Sequence, residues 1–227
     1  MDKLPQTPET YDRMFANGGY GGAFQLPYRH SWYYPMYKEV FKAVKAAGAR
    51  HLLEVGCGTG GFAHLLFEHS NIDYCGFDFS PEAVSQARAR TSREDSFFVG
   101  DATVADSYAR DYDTIACTEV LEHIEADRTA ISLWKSGATC ICSVPNFDST
   151  VHVRFFRHED EVRERYGDLI DITGIARVRK PWLPDISLRN RLRHLIWNRY
   201  QPRRLLYLLG LTSFDNGGWF VFTGTRR

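Results

Sequence analysis

The residues able to do chemistry fall in four short stretches. In Leu52-Leu-Glu-Val-Gly-Cys-Gly-Thr-Gly-Gly61 an apolar run closes on Glu54 and Val55, and Gly56, Gly58, Gly60 and Gly61 follow within six positions. Glycine reaches positive φ without steric cost and lets backbone N–H groups approach a ligand, as they do where a turn feeds a helix N-terminus. Asp78 closes a second apolar run, 22 residues after Gly56, where a carboxylate can accept from two ribose hydroxyls. Phe97-Phe-Val-Gly-Asp101-Ala102 ends a third run. There the Asp101 carboxylate suits an exocyclic amine and the Ala102 N–H a ring nitrogen. Cys117-Thr-Glu119-Val-Leu-Glu122-His123 ends a fourth. Each stretch alone also has a plain structural reading. The glycines Gly56, Gly58 and Gly61 fit the general dinucleotide spacing G-x-G-x-x-G. Asp78 can cap a helix, although Ser80 before Pro81 is the better cap, and Asp101 can be a turn aspartate. Their joint occurrence favours one nucleotide-type ligand held by successive loops.

The elements that must position these residues alternate. Strand-like runs at 51–55, 72–77, 96–99, 113–118 and 138–144 are separated by helical stretches at about 62–69, 81–90 and 126–136, with a further helix at 37–47 before them. Alternation of this kind predicts a parallel sheet covered by helices on both faces, with ligands at the carboxyl ends of the strands. Near the C-terminus, Asn216-Gly217-Gly218 is a hairpin turn signal, and the apolar run after it reads as an edge strand.

In their order and spacing, the motifs resemble those of the class I S-adenosylmethionine-dependent methyltransferases, over about residues 37–146 and the last strand. The resemblance implies an α/β fold, a Rossmann-like doubly wound seven-stranded sheet, mostly parallel with an antiparallel last strand. It implies S-adenosylmethionine as cofactor and S-adenosylhomocysteine as product. Gly56, Gly58 and Gly60, with Glu54 and Cys57 beside them, would form the cofactor loop. Asp78 would bind the ribose, with Phe79 packing on the adenine, and Asp101 and Ala102 would read the adenine edge. Glu119 would lie near the methionine moiety.

Two regions lie outside that frame within an expected single domain of 1–227. Residues 1–36 are expected to form a lid: nine aromatic residues lie between Tyr11 and Tyr37, interleaved with Gly18-Gly19 and Gly21-Gly22. Aromatic faces attract a sulfonium as they attract an ammonium, and a lid excludes water; packing of these rings on the sheet is the plainer alternative. Residues 147–209 are expected to form a substrate-binding cap. From Arg177 to Arg204 this segment has nine Lys and Arg against one acid, Asp185. In 187–200 apolar residues recur at helical spacing beside a basic face, which suits phosphate groups or an anionic membrane, or else a solvated surface.

Transfer of a methyl group from a sulfonium is an in-line displacement, so the protein must align the acceptor and, for a hydroxyl, remove a proton. His123, His30 and His152 are the candidate bases. Glu119, Glu122 and His123 share one face if the segment is helical, and such a set can hold a divalent metal. The same Glu-x-x-Glu-His occurs in ubiquinone-type O-methyltransferases and small-RNA 2′-O-methyltransferases, but also in metal-free relatives; no metal is expected. The leading expectation is methylation of a small-molecule hydroxyl, the acceptor being anionic or lipid-linked. Nucleic-acid methylation through the basic cap, or N- or C-methylation of a metabolite, is the alternative. Net charge is zero with a pI near 7.1, so no global field points to nucleic acid. An NAD-dependent oxidoreductase would need a catalytic Tyr/Lys set, and none stands out. Five cysteines without a C-x-x-C pair, no secretory signal and no run of 18 apolar residues place the expectation in the cytoplasm, with peripheral membrane contact open.

Overall fold

A computed structural model describes residues 6–19, 22–183, 185–197, 199, 202, 205, 206 and 217–227. Its elements in chain order are α1 (Pro8–Ala16), α2 (Tyr34–Ala46), β1 (His51–Val55), α3 (Gly61–His69), β2 (Asp73–Asp78), α4 (Pro81–Thr91), β3 (Phe97–Val99), β4 (Thr114–Thr118), α5 (Asp127–Ser132), β5 (Thr139–Pro145), α6 (Glu159–Tyr166), β6 (Ile170–Arg179), α7 (Leu188–Trp197) and β7 (Gly218–Arg226). The strands form one seven-stranded sheet in the order β3-β2-β1-β4-β5-β7-β6. β1 to β5 pair in parallel, and β7 runs antiparallel to both β5 and β6. Strand order reverses between β1 and β4, which opens a crevice at their carboxyl ends.

Local chemistry sets the boundaries. Ser80 caps α4, its hydroxyl accepting from the Ala83 N–H, with Pro81 in the first turn where no donor is needed. Pro35 does the same for α2, which therefore begins at Tyr34, three residues before the sequence pattern suggested. One hydrophobic cluster covers each face of the sheet. β7 supplies both: Phe220 and Phe222 join Ile115, Cys142 and Tyr166, while Trp219 and Val221 join Met36, Val40 and Ile141.

That two-sided burial corrects the expectation of an edge strand. β7 is inserted between β5 and β6, and a strand apolar on both faces belongs in a sheet interior. The edge is β6, which lies inside the segment expected as a cap; of 147–209, β6 is a strand of the sheet and α6 adds Val162 and Tyr166 to the core on one face. Asn216 of the expected hairpin turn lies outside the described residues. β6 ends at Arg179, so a long excursion and not a tight turn joins the two strands. No described helix is long and apolar enough to cross a membrane.

Candidate active site

A cavity of about 730 Å³ opens at the crevice, and residues following β1, β2, β3, β4 and β5 line it, together with the N-terminal segment and Lys180. At one end lies the glycine turn. Gly56 has φ +69°, and a Cβ there would lie 2.2 Å from Val120 Cγ2, so this position admits no side chain without displacing the loop after β4. Gly60 has φ +74° and caps α3; a Cβ on it would press against Ala87, not the cavity, so its role is to pack α3 on α4. Gly58 and Cys57 line the cavity, as do Glu54, Asp78, Phe79, Asp101, Ala102 and Glu119.

The carboxylates here are held in different ways. Glu54 is buried and accepts from the Tyr74 hydroxyl at 2.5 Å. Burial pushes its carboxyl up to about 8, opposed by that hydrogen bond. Asp78 accepts from the Gly58 N–H and the Ser80 N–H, both at 3.0 Å, which pins the glycine turn to the end of β2. Burial raises it to about 6. Each oxygen keeps acceptor capacity beyond its one backbone donor. Asp101 is exposed, and one of its oxygens accepts from both the Thr103 N–H and hydroxyl at 2.7 Å. Phe79 packs edge-on against Tyr11, ring centroids 5.0 Å apart. A glycine turn that brings its backbone to the cavity and a fixed carboxylate on the next strand together fit the S-adenosylmethionine expected from the motifs.

The other end of the cavity is built on the turn after β4. Glu119 has φ +58°, a strained value for a residue with a Cβ. Its N–H donates to the Ser143 hydroxyl at 3.1 Å. The segment that follows is a single turn and not a helix, with the His123 N–H donating to the Val120 carbonyl. The three side chains nonetheless meet off this turn: the Glu119 and Glu122 carboxyls interact, and Glu122 Oε1 lies 3.8 Å from His123 Nε2. Glu119 lines the cavity; Glu122 is fully buried, with neither carboxylate oxygen hydrogen-bonded among the described residues. Burial raises both carboxyls, Glu122 further because the Glu119 charge opposes a second one. Arg154 braces this turn by donating to the Leu121 and Ile124 carbonyls.

His123 Nδ1 lies 2.7 Å from the Val151 carbonyl, which only accepts, so Nδ1 carries the proton and Nε2 the lone pair. The Tyr11 hydroxyl, 2.9 Å from the same Nδ1, donates in turn to Gln6 Oε1. His152 has the same arrangement, its Nδ1 lying 3.2 Å from the Phe147 carbonyl. Burial holds His123 down to about 4 and His152 to about 3, the latter also opposed by His123. Both rings are therefore neutral near pH 7, with centroids 5.0 Å apart. His30, the third expected base, is not brought to this place. It is exposed on a short 3-10 turn, and its carbonyl accepts from the Ile186 N–H.

The expected metal set also changes. Glu122, His123 and His152 offer ligand atoms within 4.8 Å of one another, and Glu119 is not among them. An unpartnered buried carboxylate and two imidazoles oriented by backbone carbonyls fit a divalent cation as donors.

Several cavity residues carried no motif. Tyr11, Phe15, Phe24, Trp32 and Tyr33 of the N-terminal segment all line it. That segment is tied to the glycine turn and to α4, with the Thr59 hydroxyl and the Arg90 guanidinium donating to the Phe24 carbonyl. Lys180, just past β6, points its ammonium over Phe147 at 3.6 Å and Trp32 at 4.5 Å from the ring centroids. Burial lowers its pKa, with Glu119 opposing. The basic composition of 177–204 was the one sequence signal for a cation here.

Comparison with known proteins gives the same fold. Residues 53–136 match the family model described as a methyltransferase domain. No curated protein sequence gives a significant match. Among solved structures, the N-methyltransferase NodS from Bradyrhizobium japonicum WM9, in complex with S-adenosylhomocysteine, superposes with a TM-score of 0.66 at 18% identity, covering 98% of this chain and 100% of that one. The [4+2]-cyclase SpnF superposes at 0.64 and 17% identity, covering 99% and 98%. Phospholethanolamine N-methyltransferase 2 from Haemonchus contortus superposes at 0.58 and 15%, covering 95% of this chain and 60% of that one. At these identities the solved structures speak to fold alone. Residues 53–136 thus resemble a methyltransferase domain, and the chain as a whole shares the fold of these solved structures.

Proposed function

We propose that the enzyme methylates a hydroxyl of a small, anionic acceptor. The observation that carries this reading is the pair of neutral imidazoles, half-buried His123 and buried His152, at the β4 end of the cavity. A neutral amine can attack a methyl sulfonium without prior deprotonation, whereas a hydroxyl is a poor nucleophile until its proton leaves.

S-Adenosylmethionine supplies the electrophilic methyl group and departs as a neutral thioether. Gly56, Gly58, Asp78, Asp101 and Ala102 hold and orient it at the strand ends. His123 Nε2 takes the acceptor's proton as the oxygen–methyl bond forms. Its Nδ1–H stays on the Val151 carbonyl, so the imidazolium is held in place. The Glu122 carboxyl, whose Oε1 lies 3.8 Å from this Nε2, faces the new positive charge. Lys180 binds the acceptor's anionic group, and Trp32, Tyr33 and Tyr11 close the N-terminal lid against water. A divalent cation held by Glu122, His123 and His152 would lower the acceptor hydroxyl's pKa in that place.

The test supplies methyl-labelled S-adenosylmethionine and the protein to a cell extract, with and without EDTA, and fractionates the label. Base-stable label in a small anionic product, attached to oxygen, supports the proposal. Label in RNA, or on nitrogen or carbon, overturns it. EDTA sensitivity would assign the His123 and His152 lone pairs to a metal and not to the proton.

A further inference from the structure

α7 is turned inside out for a surface helix. Such helices normally bury an apolar stripe and leave a polar face in water. In α7 no residue is buried. Leu188 is 73% exposed, Leu192 50% and Ile196 61%. Their i, i+4, i+8 spacing makes one ridge. Arg191 stands on one flank of that ridge, Arg189 and Arg193 on the other. All three are exposed, and Arg193 lies over the ring of Trp197, itself 72% exposed.

The helix is nonetheless fixed to the body on its inner side. Asp185 bridges to Ser31 and accepts from the Ser187 N–H at 2.8 Å. The Asn190 amide donates to the Asp185 carbonyl, and the His194 ring meets Trp182 edge-on, centroids 6.0 Å apart. A helix that is capped and anchored, yet holds its leucines outward, is organised for a second apolar phase.

Charge selects that phase. From Ile186 to Phe214 the sequence has six arginines, no lysine and no acidic residue. Two copies of this ridge facing one another about a two-fold axis would bring like charges together. An anionic bilayer complements both features: leucines enter the acyl boundary, while arginines on the flanks reach back to lipid phosphates. We propose that α7 docks the enzyme on an anionic membrane surface through the Leu188-Leu192-Ile196 ridge. Because the same segment begins at Lys180 in the cavity wall and is bridged to the lid at Ser31, docking sets the mouth of the active site close to that surface.

Co-sedimentation of the full chain with phosphatidylcholine vesicles, with and without phosphatidylglycerol, tests this. Binding is expected only with phosphatidylglycerol and should weaken with added salt. Leu192→Glu with Ile196→Glu, both at exposed positions, should weaken it by about tenfold or more while leaving S-adenosylhomocysteine binding unchanged. Equal binding to both vesicles, binding to neither, or undiminished binding by the double variant overturns the proposal. So does a wild-type dimer in gel filtration that the double variant converts to monomer, which would make the ridge an interface between copies.

Discussion

The Tyr11 hydroxyl lies 2.9 Å from His123 Nδ1, joining the first helix of the N-terminal segment to the turn after β4. One side chain thus links the cover of the cavity to the ring proposed to take the proton. His123→Ala should lower kcat roughly a hundred- to ten-thousand-fold while S-adenosylhomocysteine affinity, measured by calorimetry, changes little. Tyr11→Phe removes the hydroxyl's hydrogen bonds with His123 and Gln6 and should cost about two- to tenfold in kcat/KM. If His123→Ala lost cofactor affinity and activity in parallel, its role would be structural.

Glu54 links stability to pH. Its carboxyl is raised to about 8 in the folded state from the ordinary value of 4.5. A raised carboxyl stabilises the fold fully below the unfolded value, and that contribution is lost as pH rises through about 8. The depressed His123 and His152 act in the opposite sense, but only below about pH 6.5, where the unfolded chain takes up protons that the folded one refuses. Between pH 6.5 and 8.5, therefore, the carboxyls set the slope and the apo protein should lose stability. Glu54→Gln keeps an acceptor for Tyr74 and should flatten that loss by on the order of 2 kcal/mol. Chemical denaturation of both proteins at the two pH values reads this directly; parallel losses would show that Glu54 does not titrate there.

Most of the sheet was legible because each of its first five strands is an apolar run bounded by turn residues, and Ser80-Pro81 announces its helix. β6 was not. Its ten residues, Ile170–Arg179, alternate Ile and Val with Asp, Thr and Arg and include Gly174 at an irregularity in the pairing, so an edge strand read as part of a basic cap. β7 read as an edge for the converse reason: a terminal position suggested exposure, but Trp219 to Phe222 are buried on both faces. In the site, glycines and acids at strand ends announced themselves by spacing. Lys180, Trp32 and Phe147 meet only through tertiary structure, and no local pattern marks them. The Glu119-x-x-Glu122-His123 motif was visible, but the turn that carries it was not, because a left-handed Glu119 breaks the helical periodicity assumed for it.

Gly56 joins backbone conformation to cofactor affinity. Gly56→Ala must hold a side chain at φ +69° and place Cβ 2.2 Å from Val120 Cγ2. The strained backbone alone should destabilise the fold by about 1–3 kcal/mol, and the shifted turn should weaken S-adenosylhomocysteine binding. Val120→Ala removes the clashing methyl. In the double variant, part of the stability should return while the φ penalty persists, a coupling that a double-mutant cycle measures. Strict additivity would mean that the turn had moved away from Val120 altogether.

Lys180 gives the sharpest test of acceptor chemistry. Its ammonium sits over Phe147 and Trp32 in the cavity wall, where burial disfavours the charge and Glu119 favours it. If the acceptor brings an anionic group, Lys180→Met keeps the packing on the two rings and removes only the charge. KM for that acceptor should then rise roughly ten- to a hundredfold, the range for a hydrogen bond to a charged partner, with S-adenosylmethionine KM unchanged. Lys180→Arg should recover part of the loss, since a guanidinium still pairs with a carboxylate or phosphate. A cationic acceptor predicts the opposite sign: with Lys180→Met the aromatic faces of Trp32 and Phe147 become available to the substrate, Glu119 loses its competing cation, and KM falls. The direction of the KM change therefore separates an anionic acceptor from a cationic one before the product is identified.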